Sequence, residues 1–177
     1  MLSVDWREEA IGRQHDRKRF NCGAPDLNEY LSRYARQNHE SGGAKSFVAV
    51  LPAEPVRVLG FYSIRPGVIE FARVPENLTR KLGRYDVPVF RLGRLAVDRS
   101  MQGQGLGGDL LLACGERTLA VASQVGGVAL AIDAKDDKAA RWYERFGALP
   151  LLGDPLKLIL PLSVVADAIR TAGKRRK

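Results

Sequence analysis

The stretch that decides the fold is "AVDRSMQGQGLGGDLLLACGER", Ala96 to Arg117. Four glycines fall within six positions, at Gly103, Gly105, Gly107 and Gly108, and a leucine-rich segment follows at once. Backbone this bare, opening onto a helical pattern, lets a ligand or another chain segment approach closely. Upstream, "VPVFRLGRLAVD" reads as a strand that becomes near-continuously apolar in its second half. Downstream, "GLGGDLLLACGERTLAVASQ" carries apolar residues at Leu106, Leu110, Leu111, Cys114 and Leu119, a helical spacing. The unit is strand, glycine loop, helix.

Around it the other elements follow. "CGAPDLNEYLSRYARQNHESGG" predicts a capped helix starting near Pro25 or Asp26, with a core stripe of Leu27, Tyr30, Leu31 and Tyr34. "KSFVAVLP" and "VRVLGFYSIRPGVIEF" predict strands joined by a turn around Pro52 to Pro55, and "VPENLTRKLG" a short helix that stops at Gly83. "GGVALAIDA" predicts a buried strand, "DDKAARWYERFGA" a helix ended by Gly147, "LKLILPL" a last strand and "SVVADAIRTAGKRRK" a terminal helix. This order defines an α/β (α+β) fold over residues 1–173, with 174–177 a basic tail.

Composition narrows the functions. The chain has 177 residues, 45% hydrophobic and 27% charged, an ordinary globular balance. No apolar run reaches the ~18 residues that suggest a spanning helix, and the charged start "MLSVDWREEAIGRQHDRKRF" does not resemble a signal peptide. Those features point to a cytoplasmic protein with no membrane partner. Cys22 and Cys114 read as reduced thiols, and His15 and His39 sit in no ligand motif, so no metal is expected. The net charge of +8 suits a polyanionic partner or a phosphate-bearing cofactor.

Three ligands compete for the glycine loop. Gly103, Gly105 and Gly108 satisfy the dinucleotide pattern G-x-G-x-x-G, with Asp133 as the downstream acid. Yet Asp98 to Gln102 separate the strand from the first glycine, and too little chain follows for the repeated βα units of that fold. A P-loop fails because no Lys-Ser or Lys-Thr follows the glycines. The third ligand is a pyrophosphate held by unpaired N–H groups at a helix N-terminus. Gln102-Gly103-Gln104-Gly105-Leu106-Gly107 matches [Q/R]-x-x-G-x-[G/A], the cofactor-loop signature of the Gcn5-related N-acetyltransferases (GNAT).

The resemblance extends along most of the chain. "RLGRLAVDRSMQGQGLGGDLLL" and "ALAIDAKDDKAARWYERFGA" resemble the cofactor-binding core of that superfamily. Phe20-Asn21-Cys22-Gly23 followed by "DLNEYLSRYARQ", and "GFYSI" at Gly60 to Ile64, resemble its branch of bacterial toxins from type II toxin–antitoxin modules. The resemblance implies a single-domain GNAT fold, a mixed central sheet with a splayed cofactor-binding strand pair and flanking helices. It implies acetyl-CoA as co-substrate, held by Leu95, Ala96, Val97, Gln102, Gly103, Gln104, Gly105, Leu106, Gly107, Gly108, Ala134 and Ala139. It assigns Tyr143 in "ARWYERFG" to the leaving thiolate, which a phenol can protonate or hydrogen-bond, while Trp142 and Phe146 pack.

The acceptor implied by the resemblance is the α-amino group of an aminoacyl-tRNA, whose acetylation blocks translation. Arg36, Lys45, Arg80, Lys81 and Arg84 are candidate tRNA contacts. Also implied are a ribbon-helix-helix antitoxin and a homodimer. No general base stands out; Glu144 and Asp133 qualify only by nearness in sequence. An α-amine titrates near 7.7–8.0 and so needs less help than a lysine near 10.4. Two other readings stay open: an acetyltransferase for a small amine or protein N-terminus, and a non-catalytic CoA- or nucleic-acid-binding module.

Overall fold

The computed structural model describes residues 5–175, and side chains as far as residue 172. Seven strands, β1 (Arg7–Ala10), β2 (Lys45–Val50), β3 (Gly60–Ile69), β4 (Val87–Val97), β5 (Ala129–Asp133), β6 (Leu149–Leu151) and β7 (Asp154–Pro161), hydrogen-bond in the order β1-β2-β3-β4-β5-β7-β6. Among the described residues six α-helices accompany them: α1 (Pro25–Glu29), α2 (Ala35–Ser41), α3 (Glu76–Thr79), α4 (Leu106–Val125), α5 (Asp137–Glu144) and α6 (Leu162–Arg175). The β4–β5 pair is parallel, while β1–β2, β2–β3, β5–β7 and β6–β7 are antiparallel. The described residues pack as two compact units, those up to Arg65 with Gly93–Cys114, and Pro66–Leu92 with those from Gly115 onward.

In the first unit, one core gathers Tyr30, Leu31 and Ala35 onto Val48 and Val50 of β2 and Phe61 of β3. The helix expected from Pro25 onward forms, with Pro25 at its first turn, where a missing N–H costs nothing. Its N-cap is Ala24, with no side-chain cap, and residues Tyr30–Tyr34 wind as a π-helical turn between α1 and α2. The wider turn shifts the stripe: Tyr30 and Leu31 are buried, whereas Tyr34 is 49% exposed and is not core. Gly42, at φ 82°, ends α2 in the left-handed conformation that a Cβ disfavours.

Strand β1 has no strand-like sequence, being Arg-Glu-Glu-Ala, and the pattern above did not find it. It is made by its partner: Arg7 to Ala10 pair with Val50 to Phe47 of β2. Its carboxylates serve the unit, because Glu8 accepts from the Tyr62 hydroxyl at 2.6 Å and Glu9 from His15 Nε2 at 3.0 Å. His15 is buried and accepts the Gly12 N–H at Nδ1, so it is a satisfied core histidine. Gly60 of β3 sets how closely α4 lies on the sheet. A Cβ there would come within 2.8 Å of Leu110 Cδ1 and 3.1 Å of the Ala96 carbonyl.

In the second unit, Val87, Val89, Ala129, Ala131 and Ile159 form one apolar face. Helices α5 and α6 pack on β7. Sequence patterning found one last strand where the structure has a hairpin, β6 with β7, irregular between Pro150 and Leu151. On α4 the buried position at the fourth turn is Thr118 rather than the half-buried Leu119, its hydroxyl donating to the Gly115 carbonyl at 2.9 Å. Helix α6 takes in Lys174 and Arg175 of the basic end, and residues 176–177 lie outside the described residues. Among the described residues no helix is long and apolar enough to cross a membrane, and no group of three or more His, Cys, Asp or Glu side chains could hold a metal ion.

Candidate active site

The glycine loop lies in the first unit, where its shape follows from its residues. Asp98 ends β4 and caps the turn Arg99–Met101, its carboxylate accepting from the Ser100 N–H at 3.0 Å and the Ser100 hydroxyl at 2.6 Å. Gly103 and Gly105 then take φ of 77° and 95°, values open to glycine and strained for other residues. Within α4 the N–H of Asp109 is the first to bond backwards, onto the Gly105 carbonyl at 3.2 Å. The N–H groups of Leu106, Gly107 and Gly108 therefore make no backbone hydrogen bond among the described residues. Three donors at the positive end of a 20-residue helix favour an anion there.

The side chains of both glutamines of the signature fasten the loop. Gln102 Nε2 donates to the carbonyls of Cys22 and Val97, each at 2.9 Å, and Gln104 Nε2 to that of Ser100 at 3.0 Å. This gives the Phe20-Asn21-Cys22-Gly23 segment a role. The Asn21 N–H donates to Asp98 Oδ2 at 2.9 Å, and the Arg99 N–H to the Asn21 carbonyl at 2.9 Å. Asn28 Oδ1 accepts from the Cys22 N–H, while Phe20 is buried edge-on against Phe61, centroids 5.5 Å apart. Burial of the Asp98 carboxyl by itself would raise its pKa. The Ser100 hydroxyl, the Asn21 and Ser100 N–H groups and the charge of Arg57 outweigh that and hold it below the usual value.

Strand β4 supplies the second feature. Its ladder with β5 runs from Val89↔Ala129 to Leu92↔Ile132, and β4 continues to Val97. Beyond Leu92 the residues of β4, including Leu95, Ala96 and Val97, have no β5 ladder partner among the described residues. Arg94, exposed at the start of that stretch, places its guanidinium 3.7 Å from the centroid of the Tyr30 ring. Burial pushes the Tyr30 phenol up, but Ser63, Asn38, Ser46 and the Arg94 charge together bring it below its ordinary value. Sequence reading placed Tyr30 in the core and did not find its pairing with Arg94, which lies 64 residues further on. Only the fold reports it.

The remaining residues of the expected site lie in the second unit. Helix α5 starts at an N-cap, Asp136, whose side chain accepts the Ala139 N–H at 2.7 Å. Ala140 and Tyr143, three residues apart, form its buried face. Tyr143 is 8% exposed and lies edge-on to Trp142 at 4.9 Å; Trp142 in turn packs on Phe146 at 4.7 Å. The Ala134 N–H donates to the Leu156 carbonyl at 2.8 Å. Of the two carboxylates near in sequence, Glu144 is exposed and Asp133 is 3.5 Å from Arg91.

This unit also holds a cavity of about 240 Å³ that sequence patterning missed. Ile69, Leu151 and Leu158 are among its apolar lining, and Arg73, Arg91, Lys157, Glu70, Asp86 and Asp133 are its charged groups. These come from five separate stretches of chain, so no local signal marks them. Of the expected polyanion contacts, Arg36 pairs with Glu40 at 2.6 Å and Lys45 donates to the His39 carbonyl at 2.8 Å. Arg80, Lys81 and Arg84 are exposed and form no ion pair among the described residues.

A mixed sheet with a parallel β4–β5 pair, and a glycine-rich helix N-terminus after β4, is the pattern of an acyl-CoA-dependent transferase. Residues 42–147 match the acetyltransferase (GNAT) domain family, and the chain belongs to that family. It is 38% identical over 141 residues to a tRNA-acetylating toxin of Mycobacterium tuberculosis, an alignment spanning 80% of this chain and 82% of the relative. Among solved structures it is similar to AtaT complexed with acetyl-methionyl-tRNAfMet, with a TM-score of 0.86 at 27% identity, covering 93% of this chain and 99% of that one. A tyrosine-to-phenylalanine mutant of AtaT, bound to the C-terminus of the antitoxin AtaR and acetyl-CoA, matches with a TM-score of 0.80 at 26% identity, covering 93% and 98%.

Proposed function

We propose that this chain is the toxin of a toxin–antitoxin pair and transfers the acetyl group of acetyl-CoA to the α-amino group of an amino acid esterified to tRNA. The observation that carries the reading is the 38% identity to a tRNA-acetylating toxin over four-fifths of the chain, with the Gln102–Gly107 signature and Tyr143 inside the matched family domain. The cradle formed by Leu106, Gly107 and Gly108 takes the pyrophosphate of acetyl-CoA. The open edge of Leu95–Val97 bonds its pantetheine amides, and a backbone N–H there polarises the thioester carbonyl.

The reaction forms one N–C bond and breaks one C–S bond. A neutral α-amine attacks the carbonyl carbon, and the amine proton leaves to solvent. The thiolate takes a proton from the Tyr143 hydroxyl, which solvent restores. An α-amine near pKa 8 has a usable neutral fraction without a dedicated base, in keeping with Asp133 being engaged by Arg91. The acetylated nitrogen is an amide and no longer a nucleophile, so the charged tRNA is lost to elongation. A tRNA substrate places this action in the cytoplasm. Assembly as a homodimer and neutralisation by a ribbon-helix-helix antitoxin belong to the same reading. Acetyl-CoA turnover with charged tRNA, uncharged tRNA, spermidine and a peptide tests it: charged tRNA alone supports turnover if it is right, and turnover with spermidine or peptide only refutes it.

A further inference from the structure

The segment between β3 and β4 carries a feature that the transfer chemistry does not use. Tyr85 is 81% exposed, a whole phenol ring displayed to solvent. Exposure on that scale is not packing, since the nearby Val74 and Val87 are almost fully buried. The ring is nonetheless placed. A Cβ on Gly83 would meet Tyr85 Cδ2 at 2.8 Å and Cε2 at 2.9 Å, so the ring lies across the bare backbone of Gly83. The segment beneath is tied down: Leu78 and Leu82 pack on the apolar face of this unit, and the Leu82 N–H donates to the Thr79 carbonyl at 2.9 Å. Within the five residues before the ring come Arg80, Lys81 and Arg84, exposed and without ion pairs among the described residues. Asp86, the next residue, lines the 240 Å³ cavity.

An aromatic face set among unpaired cations is the arrangement that binds single-stranded nucleic acid, with bases stacking on the ring and phosphates meeting the cations. An acidic peptide would use the cations and leave the ring idle. A membrane surface would want several apolar residues beside it, and this segment exposes one ring. We propose that Tyr85 is a stacking platform for an unpaired nucleotide at the 3′ end of the acceptor RNA, with Arg80, Lys81 and Arg84 holding the adjoining phosphates. This deepens the aminoacyl-tRNA reading and rests on it for the identity of the RNA. The ring would fix how the single-stranded end enters, leaving the body of the tRNA to other contacts.

The test separates the two claims by measuring binding without acetyl-CoA and without an amino acid. The full-length protein is titrated against a fluorescent RNA hairpin with a single-stranded 3′ CCA end, and against the same hairpin made blunt. Stacking of one base predicts that Tyr85→Ala weakens binding to the overhang by about 5- to 150-fold. Tyr85→Phe keeps it. Gly83→Ala, which displaces the ring by adding one methyl group, weakens it in the same direction with an unchanged melting temperature. Blunt-hairpin binding is unmoved by Tyr85→Ala and falls when Arg80, Lys81 and Arg84 are replaced. Equal binding of the overhang by wild type and Tyr85→Ala overturns the proposal. So does equal loss on both hairpins, or no overhang binding by the wild type. If charged tRNA is acetylated with the same KM by Tyr85→Ala, the function stands and the platform falls. If overhang binding behaves as described but nothing is acetylated, the platform stands and the function falls.

Discussion

The side-chain nitrogen of Gln102 bridges two carbonyls, Cys22 in the front segment and Val97 at the end of β4, at 2.9 Å each. The side chain of this glutamine, which the motif marks as a cofactor contact, pins the loop to a segment 80 residues earlier. Gln102→Ala removes both bonds at an exposed site, costing about 1 kcal/mol and lowering the melting temperature by about 2–4 °C. The larger effect falls on the loop: calorimetry should show weaker acetyl-CoA binding than the stability loss accounts for.

Gly60 is the contact that seats α4. Gly60→Ala drives a methyl group into Leu110 and the Ala96 carbonyl, and overpacking of this kind costs about 1–3 kcal/mol. Urea unfolding should show a lower midpoint with an unchanged slope. By contrast, Gly103 has open space around it, so Gly103→Ala carries only the cost of a left-handed backbone, about 1–2 kcal/mol.

The Asp98 network makes stability fall in acid. Its folded carboxyl binds a proton more weakly than the unfolded one, whose ordinary pKa is 3.8. The stabilisation is therefore present above that value and is lost as pH falls through the lower folded value. Glu9 shifts in the same direction: burial alone would raise it, but bonds from His15 and Arg7 prevail. Between pH 5 and 2, thermal melts of the wild type should fall more steeply than those of Asp98→Asn, which retains the slope due to Glu9.

Much of the cofactor half was legible because its signals are local. The β4 strand, the loop and α4 are consecutive, and each carries its own pattern of apolar residues and glycines. What was hidden depends on distant partners. Strand β1 exists because β2 offers an edge, and its four residues show no alternation. The π-helical turn at Tyr30–Tyr34 leaves no mark in the sequence, and it turns Tyr34 outward while Tyr30 meets Arg94. Arg91 and Asp133, 42 residues apart, join only across the β4–β5 ladder.

Tyr143→Phe removes one hydroxyl from a buried ring on α5. Acetyl-CoA affinity should stay within about twofold of wild type, while kcat falls about 10²- to 10⁴-fold, the usual contribution of a positioned proton donor. Growth arrest on expression should be relieved in parallel.

The most direct measurement of the central claim is mass spectrometry of the amino acids released from charged tRNA after incubation with this protein and acetyl-CoA. The account predicts a mass increase of one acetyl group on the α-nitrogen of at least one amino acid, absent with Tyr143→Phe. Unmodified amino acids throughout, with acetyl-CoA consumed on another amine or not at all, would contradict it.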